Sequence, residues 1–350
     1  MKADLFLNKE EKLIFDLLFS KKKIDRKNFT NINFEKFVKI SSEHLLIPSL
    51  YVKLRNNSQL NLIPVDLGNY MLKIYKLNRD RNLQLIDELN FLAKNFSQNK
   101  IDYAFLKGSA LILGDFYEDV GERMIGDIDF LYRKDQKPKL EKLLSELKYK
   151  TQTNKKYDYA FRHLPRRINA LKLFAVEPHS ELINKRQYLL NSEKILNNVI
   201  FTENGLKISN STNTFNHLIY NDLFNDNGDT FLRFSYKNYY DLFSIKNKKP
   251  LTDSKVNRFN HNFFFFNEIF NMNLVEGRIS SIKYISKKIR YLFIKKFRFY
   301  KLVDIFLCKV VLEIKWRKKQ LYLFITSSNY RNYIKKKILK LFSFGYIFKY

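Results

Sequence analysis

Phe105-Leu106-Lys107-Gly108-Ser109-Ala110-Leu111 and, a little further on, Arg123-Met124-Ile125-Gly126-Asp127-Ile128-Asp129-Phe130-Leu131 are the two phrases on which the chain turns. Their pattern predicts a short strand, a Lys-Gly-Ser turn that opens a helix, and a second strand carrying two aspartates. Strand side chains alternate, so Asp127 and Asp129 face the same way, about 6.5 Å apart along the strand. Ile128, Phe130 and Leu131 supply the apolar packing that holds them there. Two carboxylates so placed can share a pair of divalent cations about 3.5–4 Å apart, the clamp used for in-line displacement at phosphorus. The Gly108-Ser109 turn offers backbone N–H groups to a phosphate, and Lys107 adds a positive charge beside them.

Each piece alone is weak. Carboxylates on a solvated edge strand look the same as Asp127-x-Asp129, and Gly-Ser is ordinary turn chemistry. The ordered set of strand, Lys-Gly-Ser, helix, Arg, Gly-Asp-Ile-Asp and apolar strand is far more specific. In it the chain resembles the nucleotidyltransferases of the DNA polymerase β-like superfamily. More narrowly, it is similar to a family known as uncharacterised nucleotidyltransferases, whose pattern is Leu-Lys-Gly-x-x-Leu, a tyrosine, then an arginine ahead of Asp-Ile-Asp and two apolar residues. Tyr117, Arg123, Asp127 and Asp129 fall on that pattern. One departure concerns spacing: in the minimal superfamily motif Gly-Ser lies closer to the aspartates, whereas Ala110 to Gly126 intervene in this chain.

The phrase Val176-Glu177-Pro178-His179-Ser180-Glu181-Leu182 carries the next expectation. The resemblance places an acidic residue, one spacer and a histidine at this point, which Glu177 and His179 match, with Pro178 as a less usual spacer. It implies that Glu177 is the third metal carboxylate and helps deprotonate an attacking hydroxyl; Glu181 stands in if Pro178 shifts the register. The implied site therefore has Asp127, Asp129 and Glu177 as catalytic and metal-binding residues. Lys107, Gly108, Ser109 and Arg123 would bind nucleotide, with Arg123 neutralising charge or bracing the turn. His179, His217 and Arg233 are accessory, and a buried Arg233–Asp241 pair holding helices together is an alternative. The implied cofactors are two ions of Mg²⁺ or Mn²⁺, with a nucleoside triphosphate as substrate.

Composition sets the outer limits. The 350 residues suffice for one large or two modest domains, and the single cysteine, Cys308, excludes an intrachain disulfide and a cysteine-rich zinc site. The first residues lack the apolar stretch of a secretory signal, and no run approaches a membrane-spanning length, which leads to the expectation of a cytoplasmic protein. Lys and Arg number 64 against 35 Asp and Glu, a net charge of +29. From Ser281 to Tyr350 there are 19 Lys or Arg against Asp304 and Glu313, or +17, which leaves +12 for the first 280 residues. Such a tail attracts polyanions or anionic lipid, whether its lysines were selected or reflect an A+T-rich gene.

Along the chain, residues 1–100 read as a helical region. Asn8 and Glu11 form a capping-box pattern, a second helix is expected from Phe34 to Leu46, and Asp66 is expected to cap a long helix bearing Leu85, Leu89, Leu92 and Phe96. His44 is expected to pack rather than to ligate. Residues 101–184 form the expected catalytic core, with a helix at Leu140 to Leu147 and strands over Lys156–Leu164 and Ala170–Glu177. Residues 185–280 are expected to be helical and to complete the cleft, and 281–350 form a basic, aromatic-rich tail. The order suits an α+β fold, a small mixed sheet covered by helices. The expected activity is metal-dependent transfer of a nucleoside monophosphate to a hydroxyl acceptor with release of pyrophosphate. Two alternatives remain open: a toxin-like nucleotidyltransferase acting on tRNA, and a catalytically retired basic protein that binds nucleic acid or lies peripherally on an anionic membrane.

Overall fold

Capping decides where the first helices start and stop. The computed structural model describes residues 7–20, 22–151, 162–183, 187–249, 251, 267–268 and 282–345. Helix α1 (Lys9–Phe19) opens on the expected capping box: Asn8 Oδ1 accepts from the Glu11 N–H, and Glu11 Oε2 accepts from the Asn8 N–H, both at 2.9 Å. The helix expected from Phe34 to Leu46 is α2 (Phe34–Glu43), three residues shorter, and α3 (Ile47–Asn56) follows it. Pro48 lacks an N–H and fits only the first turn of a helix, so it opens α3 instead of closing α2. Helix α4 (Val65–Gln98) is capped at Pro64; Asp66 lies in its first turn, where a carboxylate meets the positive end of the helix dipole. His44 stacks on Tyr236 with ring centroids 4.0 Å apart, a packing role as expected.

The fold is α+β, built on a seven-stranded mixed sheet. In chain order its elements are β1 (Tyr103–Phe105), α5 (Lys107–Leu113), β2 (Asp127–Tyr132), α6 (Lys137–Glu146), β3 (Lys150–Thr151), β4 (Arg167–Ile168), β5 (Ala175–His179), α7 (Ser192–Asn197), β6 (Ile200–Phe201) and β7 (Lys207–Ile208). Their order across the sheet is β3-β4-β5-β2-β1-β7-β6. The central strand β2 runs antiparallel to β1 and parallel to β5. Helix α8 (Ser211–Tyr220) runs into a π-helical turn at Asn221–Asn225, and α9 (Gly228–Phe231) and α10 (Tyr236–Lys248) follow.

The expected strand Ala170–Glu177 starts later than its alternation suggests. Asn169 Oδ1 accepts from the Leu171 N–H, and the Lys172 N–H reaches the Asn169 carbonyl, so the chain turns there and leaves Leu171 81% exposed. An asparagine that bonds its own backbone two residues on overrides a weak strand pattern. Of the other expected strand, Lys156–Leu164, residues 156–161 lie outside the described residues; His163 makes an isolated antiparallel bridge to His179.

The two faces of the sheet serve different cores. One cluster packs Leu85, Leu89, Leu92 and Phe96 of α4 against Phe105, Ile128, Phe130 and Val176. Each such fully buried side chain contributes about 1.5–3 kcal/mol. The second cluster joins Leu13, Leu17, Leu50 and Leu54 of the N-terminal helices to Leu131, Phe215, Ile219, Tyr239 and Leu242. The N-terminal helices and residues 211–245 thus share one interior. Tyr236 Oη donates to Glu11 Oε1 at 2.8 Å across it.

Three basic helices close the described chain, α11 (Ile282–Lys296), α12 (Arg298–Thr326) and α13 (Ser328–Gly345). Arg290 pairs with Asp304 at 2.7 Å, and Cys308 donates to the Thr230 carbonyl at 3.2 Å, which ties α12 to α9. Cys308 is the only buried residue on α12, and Phe299, Leu302, Phe306, Leu307, Ile314 and Leu321 are exposed. Among the described residues no helix is long and apolar enough to cross a membrane.

Candidate active site

Strand register brings the acidic residues together. Asp127 lies opposite Ala175, Asp129 opposite Glu177, and Leu131 opposite His179 on the parallel pair β2–β5. Side chains alternate, so Asp127, Asp129, Glu177 and His179 share one face while Ile128, Phe130 and Val176 fill the core behind. Asp129 is 5% exposed, and its Oδ1 accepts from both Lys107 Nζ and His179 Nε2 at 2.7 Å. Ligand-capable atoms of Asp129, Glu177 and His179 lie within 4.8 Å of one another, a group able to hold a metal ion.

Carboxylates and cations meet at this face: Lys107 and Arg166 temper the ionisation of Asp127, and with Arg162 that of Glu177. Burial pushes the Asp127 carboxyl up to about 6, and Asp129 and Glu177 add to the rise. Glu177 is raised as well, by burial first and Asp129 second. Burial would also raise Asp129, but Lys107 and His179 outweigh it and hold that carboxyl well below the usual range. Burial lowers His179 to about 3, so the ring is neutral at physiological pH. Asp127 pairs with Arg166 Nε at 3.9 Å. Burial and neighbouring carboxylates thus disfavour ionisation of Asp127 and Glu177, a penalty that a bound cation would relieve.

Lys107 follows β1 after Leu106 alone and takes φ +47°, the left-handed region that a non-glycine residue enters only under constraint. That bend turns the chain into α5 and brings the lysine onto Asp129. Gly108 comes next, where a Cβ would sit 3.0 Å from Ile125 Cγ1, so a side chain there would press on the lead into β2. Ser109 is 1% exposed, and its Oγ has no hydrogen-bond partner among the described residues. His217, on α8, is 2% exposed with an equally unpartnered Nε2. Its ionisation is suppressed by burial and then by Lys107, His179 and Arg162, which places it near the same cluster. Buried polar groups without partners are uncommon and mark places where a ligand or water completes the bonding.

Three further residues find specific partners. Arg123, expected to bind nucleotide by neutralising charge or to brace the turn, grips Asp241 with Nε at 2.9 and 3.1 Å and Nη2 at 2.8 Å, and Tyr117 Oη donates to the same carboxylate at 2.5 Å. Asp241 is fully buried, so this guanidinium is committed to holding the β2 approach against α10. The alternative Arg233–Asp241 pair does not form. Arg233 is exposed, donates to the Asp226 carbonyl at 3.2 Å and lies over the Phe231 ring. Glu181, the substitute for Glu177, pairs with Lys134 and accepts from Ser192 Oγ, away from the cluster.

Several contributors went unnoticed in the sequence. Asn78 and Asn82 on α4 donate to the carbonyls of Gly121, Val120 and Arg123 at 2.6–3.1 Å and clamp the loop before β2. The available signal was two amides at i, i+4 on an otherwise apolar helix face. Arg162 donates to His179 Nδ1 at 3.1 Å, from a stretch that read only as strand. Lys237, one turn before Asp241, is pushed down to about 8 by Arg123 and by burial.

A family model described as uncharacterised nucleotidyltransferase matches residues 30–252, from α2 to just past α10. No curated protein matches the chain.

Proposed function

The chain belongs to that uncharacterised nucleotidyltransferase family, and from this premise we propose that it transfers a nucleoside monophosphate from a nucleoside triphosphate to a hydroxyl acceptor. The observation that carries the proposal is the convergence of Asp127, Asp129 and Glu177 on one face of β2 and β5, where burial and mutual repulsion raise Asp127 and Glu177. Residues 101–184 are the catalytic core in this reading, and residues 185–280 complete the cleft.

The donor set fits Mg²⁺ or Mn²⁺, since hard cations take carboxylate oxygens, and Asp127, Asp129 and Glu177 are the residues that would hold it. Bound there, such a cation neutralises the triphosphate and polarises the α-phosphate. Glu177, raised by burial and Asp129, accepts the proton of the attacking hydroxyl. The acceptor oxygen forms a bond to the α-phosphorus as the bond to the bridging oxygen breaks, and pyrophosphate leaves. Ser109 Oγ and His217 Nε2, both buried and unpartnered, are available to the polyphosphate. Lys107 moves between Asp129 and a phosphate oxygen. The test is incubation of the full chain with each labelled triphosphate, Mg²⁺ or Mn²⁺, and acceptors that include tRNA, proteins and small alcohols. Labelled product formed by the wild type and lost in Asp129→Asn supports the proposal; no product and no triphosphate binding under any condition refutes it.

We propose in addition that residues 282–345 hold the enzyme against an anionic membrane surface. Exposed Phe299, Leu302, Phe306 and Ile314 interleave with Lys301, Lys309, Lys315 and Arg317, while the two acids of the tail are tied to Arg290 and Arg317. Exposed apolar side chains beside cations on a helix suit the boundary between headgroups and acyl chains.

A further inference from the structure

His179 lies within ligand distance of Asp129 and Glu177, and by distance alone it reads as a third metal ligand. Its hydrogen bonds say otherwise. Arg162 Nη1 lies 3.1 Å from His179 Nδ1, and a guanidinium has only N–H donors, so Nδ1 must present its lone pair to Arg162. In a neutral imidazole the proton then resides on Nε2. That nitrogen lies 2.7 Å from Asp129 Oδ1, a carboxylate oxygen that only accepts. Donor and acceptor roles agree at every link from Arg162 through His179 to Asp129. The opposite tautomer would set two N–H groups against each other at Arg162 and leave two lone pairs facing at Asp129.

We infer that Arg162 locks His179 in the Nε2–H tautomer, which makes His179 a positioning residue for Asp129 and excludes it from the metal. Asp129 Oδ1 is then saturated by His179 and Lys107, and Oδ2 is the oxygen turned to the cation. The site becomes an all-oxygen set of Asp127, Asp129 and Glu177. Imidazole favours zinc and its neighbours, whereas carboxylates alone suit magnesium and manganese. Arg162 is thereby a determinant of metal selectivity that never touches the metal. His179 is held for the role by full burial and by its place in the middle of the sheet, opposite Leu131.

This inference deepens the proposed function and rests on it for the metal, but the tautomer is measurable on the metal-free chain. The experiment uses full-length protein with ¹⁵N-labelled histidine, with His179→Gln to assign the His179 ring signals. The expected spectrum shows a protonated Nε2 and an unprotonated Nδ1, unchanged by Mg²⁺. A protonated Nδ1 in the wild type overturns the inference. Arg162→Met frees the ring, and its affinity for Zn²⁺ or Co²⁺ should rise at least about tenfold relative to Mn²⁺, the scale on which neighbouring groups tune metal sites. Arg162→Lys still only donates and should restore the wild-type preference. In His179→Gln the amide N–H replaces Nε2 as donor, so Mn²⁺ affinity should stay within about threefold, well short of the loss seen when a supporting group is removed. A directly coordinated nitrogen in the electron spin echo spectrum of the Mn²⁺-loaded wild type, absent in His179→Gln, overturns the inference. A chain with no affinity for divalent metal refutes the proposed function, and the metal-free spectrum still decides the tautomer.

Discussion

Replacing Asp241 with asparagine tests whether the β2 approach is braced or built for substrate. Asp241 is fully buried and accepts from Tyr117 Oη, Arg123 Nε and Arg123 Nη2 at 2.5–3.1 Å. Asparagine keeps the volume but removes the charge, and it leaves Arg123, 6% exposed, as an uncompensated buried cation. Breaking a buried pair from one side costs about 3–5 kcal/mol. At about 2–4 °C per kcal/mol for domains of this size, melting should fall by about 6–20 °C. Calorimetry or urea unfolding reads the change. The double variant Arg123→Met/Asp241→Leu should recover most of the loss, because replacing both ions by apolar groups is often close to neutral. Melting of Asp241→Asn within about 1 kcal/mol of wild type would refute the brace. An arginine serving the triphosphate would instead leave stability intact and weaken nucleotide binding.

The remaining expectations are more direct. Asp127→Asn and Asp129→Asn should abolish triphosphate turnover with folding near wild type by circular dichroism; full activity in both would remove these residues from the site. Lys107→Ala should raise KM for the triphosphate more than it lowers kcat, measured by steady-state kinetics, since its role is charge neutralisation. Asp127, held up near 6, keeps its proton below that pH, so Mn²⁺ affinity should climb about tenfold per pH unit toward 6 and then level. By the same sign, the stabilisation from this group in the metal-free chain is complete below about pH 4 and is lost as pH rises to about 6; titration calorimetry at pH 5, 6 and 7 that shows flat affinity would contradict both. The full chain should bind anionic vesicles in a salt-sensitive way, and truncation after Gly277 should abolish that. Preference for RNA, with a log–log salt slope of about −0.7 per neutralised phosphate, would transfer the tail to nucleic acid.

What the sequence made legible was local. Asp127 and Asp129 are separated and followed by apolar residues, so alternation alone puts them on one face, and Glu177-x-His179 has the same period. Asn8 and Glu11 reveal a helix start because both partners of the capping box lie within one turn. Pairings between distant residues were not legible. Nothing near Arg123 says that its partner lies 118 residues on, or that Arg233, with the same chemistry and closer in sequence, is left at the surface. The alternation at Ala170 to Leu173 misled because an asparagine side chain supplies the bonds that a neighbouring strand would have made. Arg162 gains its meaning only when the end of β5 brings His179 beneath it.

The bond between Glu11 and Tyr236 spans 225 residues of chain, and it belongs to the interior that α1 shares with α8 and α10. During synthesis at about 5–20 residues per second, the surface that α1 needs emerges roughly 11–45 s after α1 itself. Through that interval the face formed by Leu13, Ile14, Leu17 and Leu18 has α2 and α3 to pack against but lacks the cover of α8 and α10. The interior around α1 closes only once Tyr236 has left the ribosome.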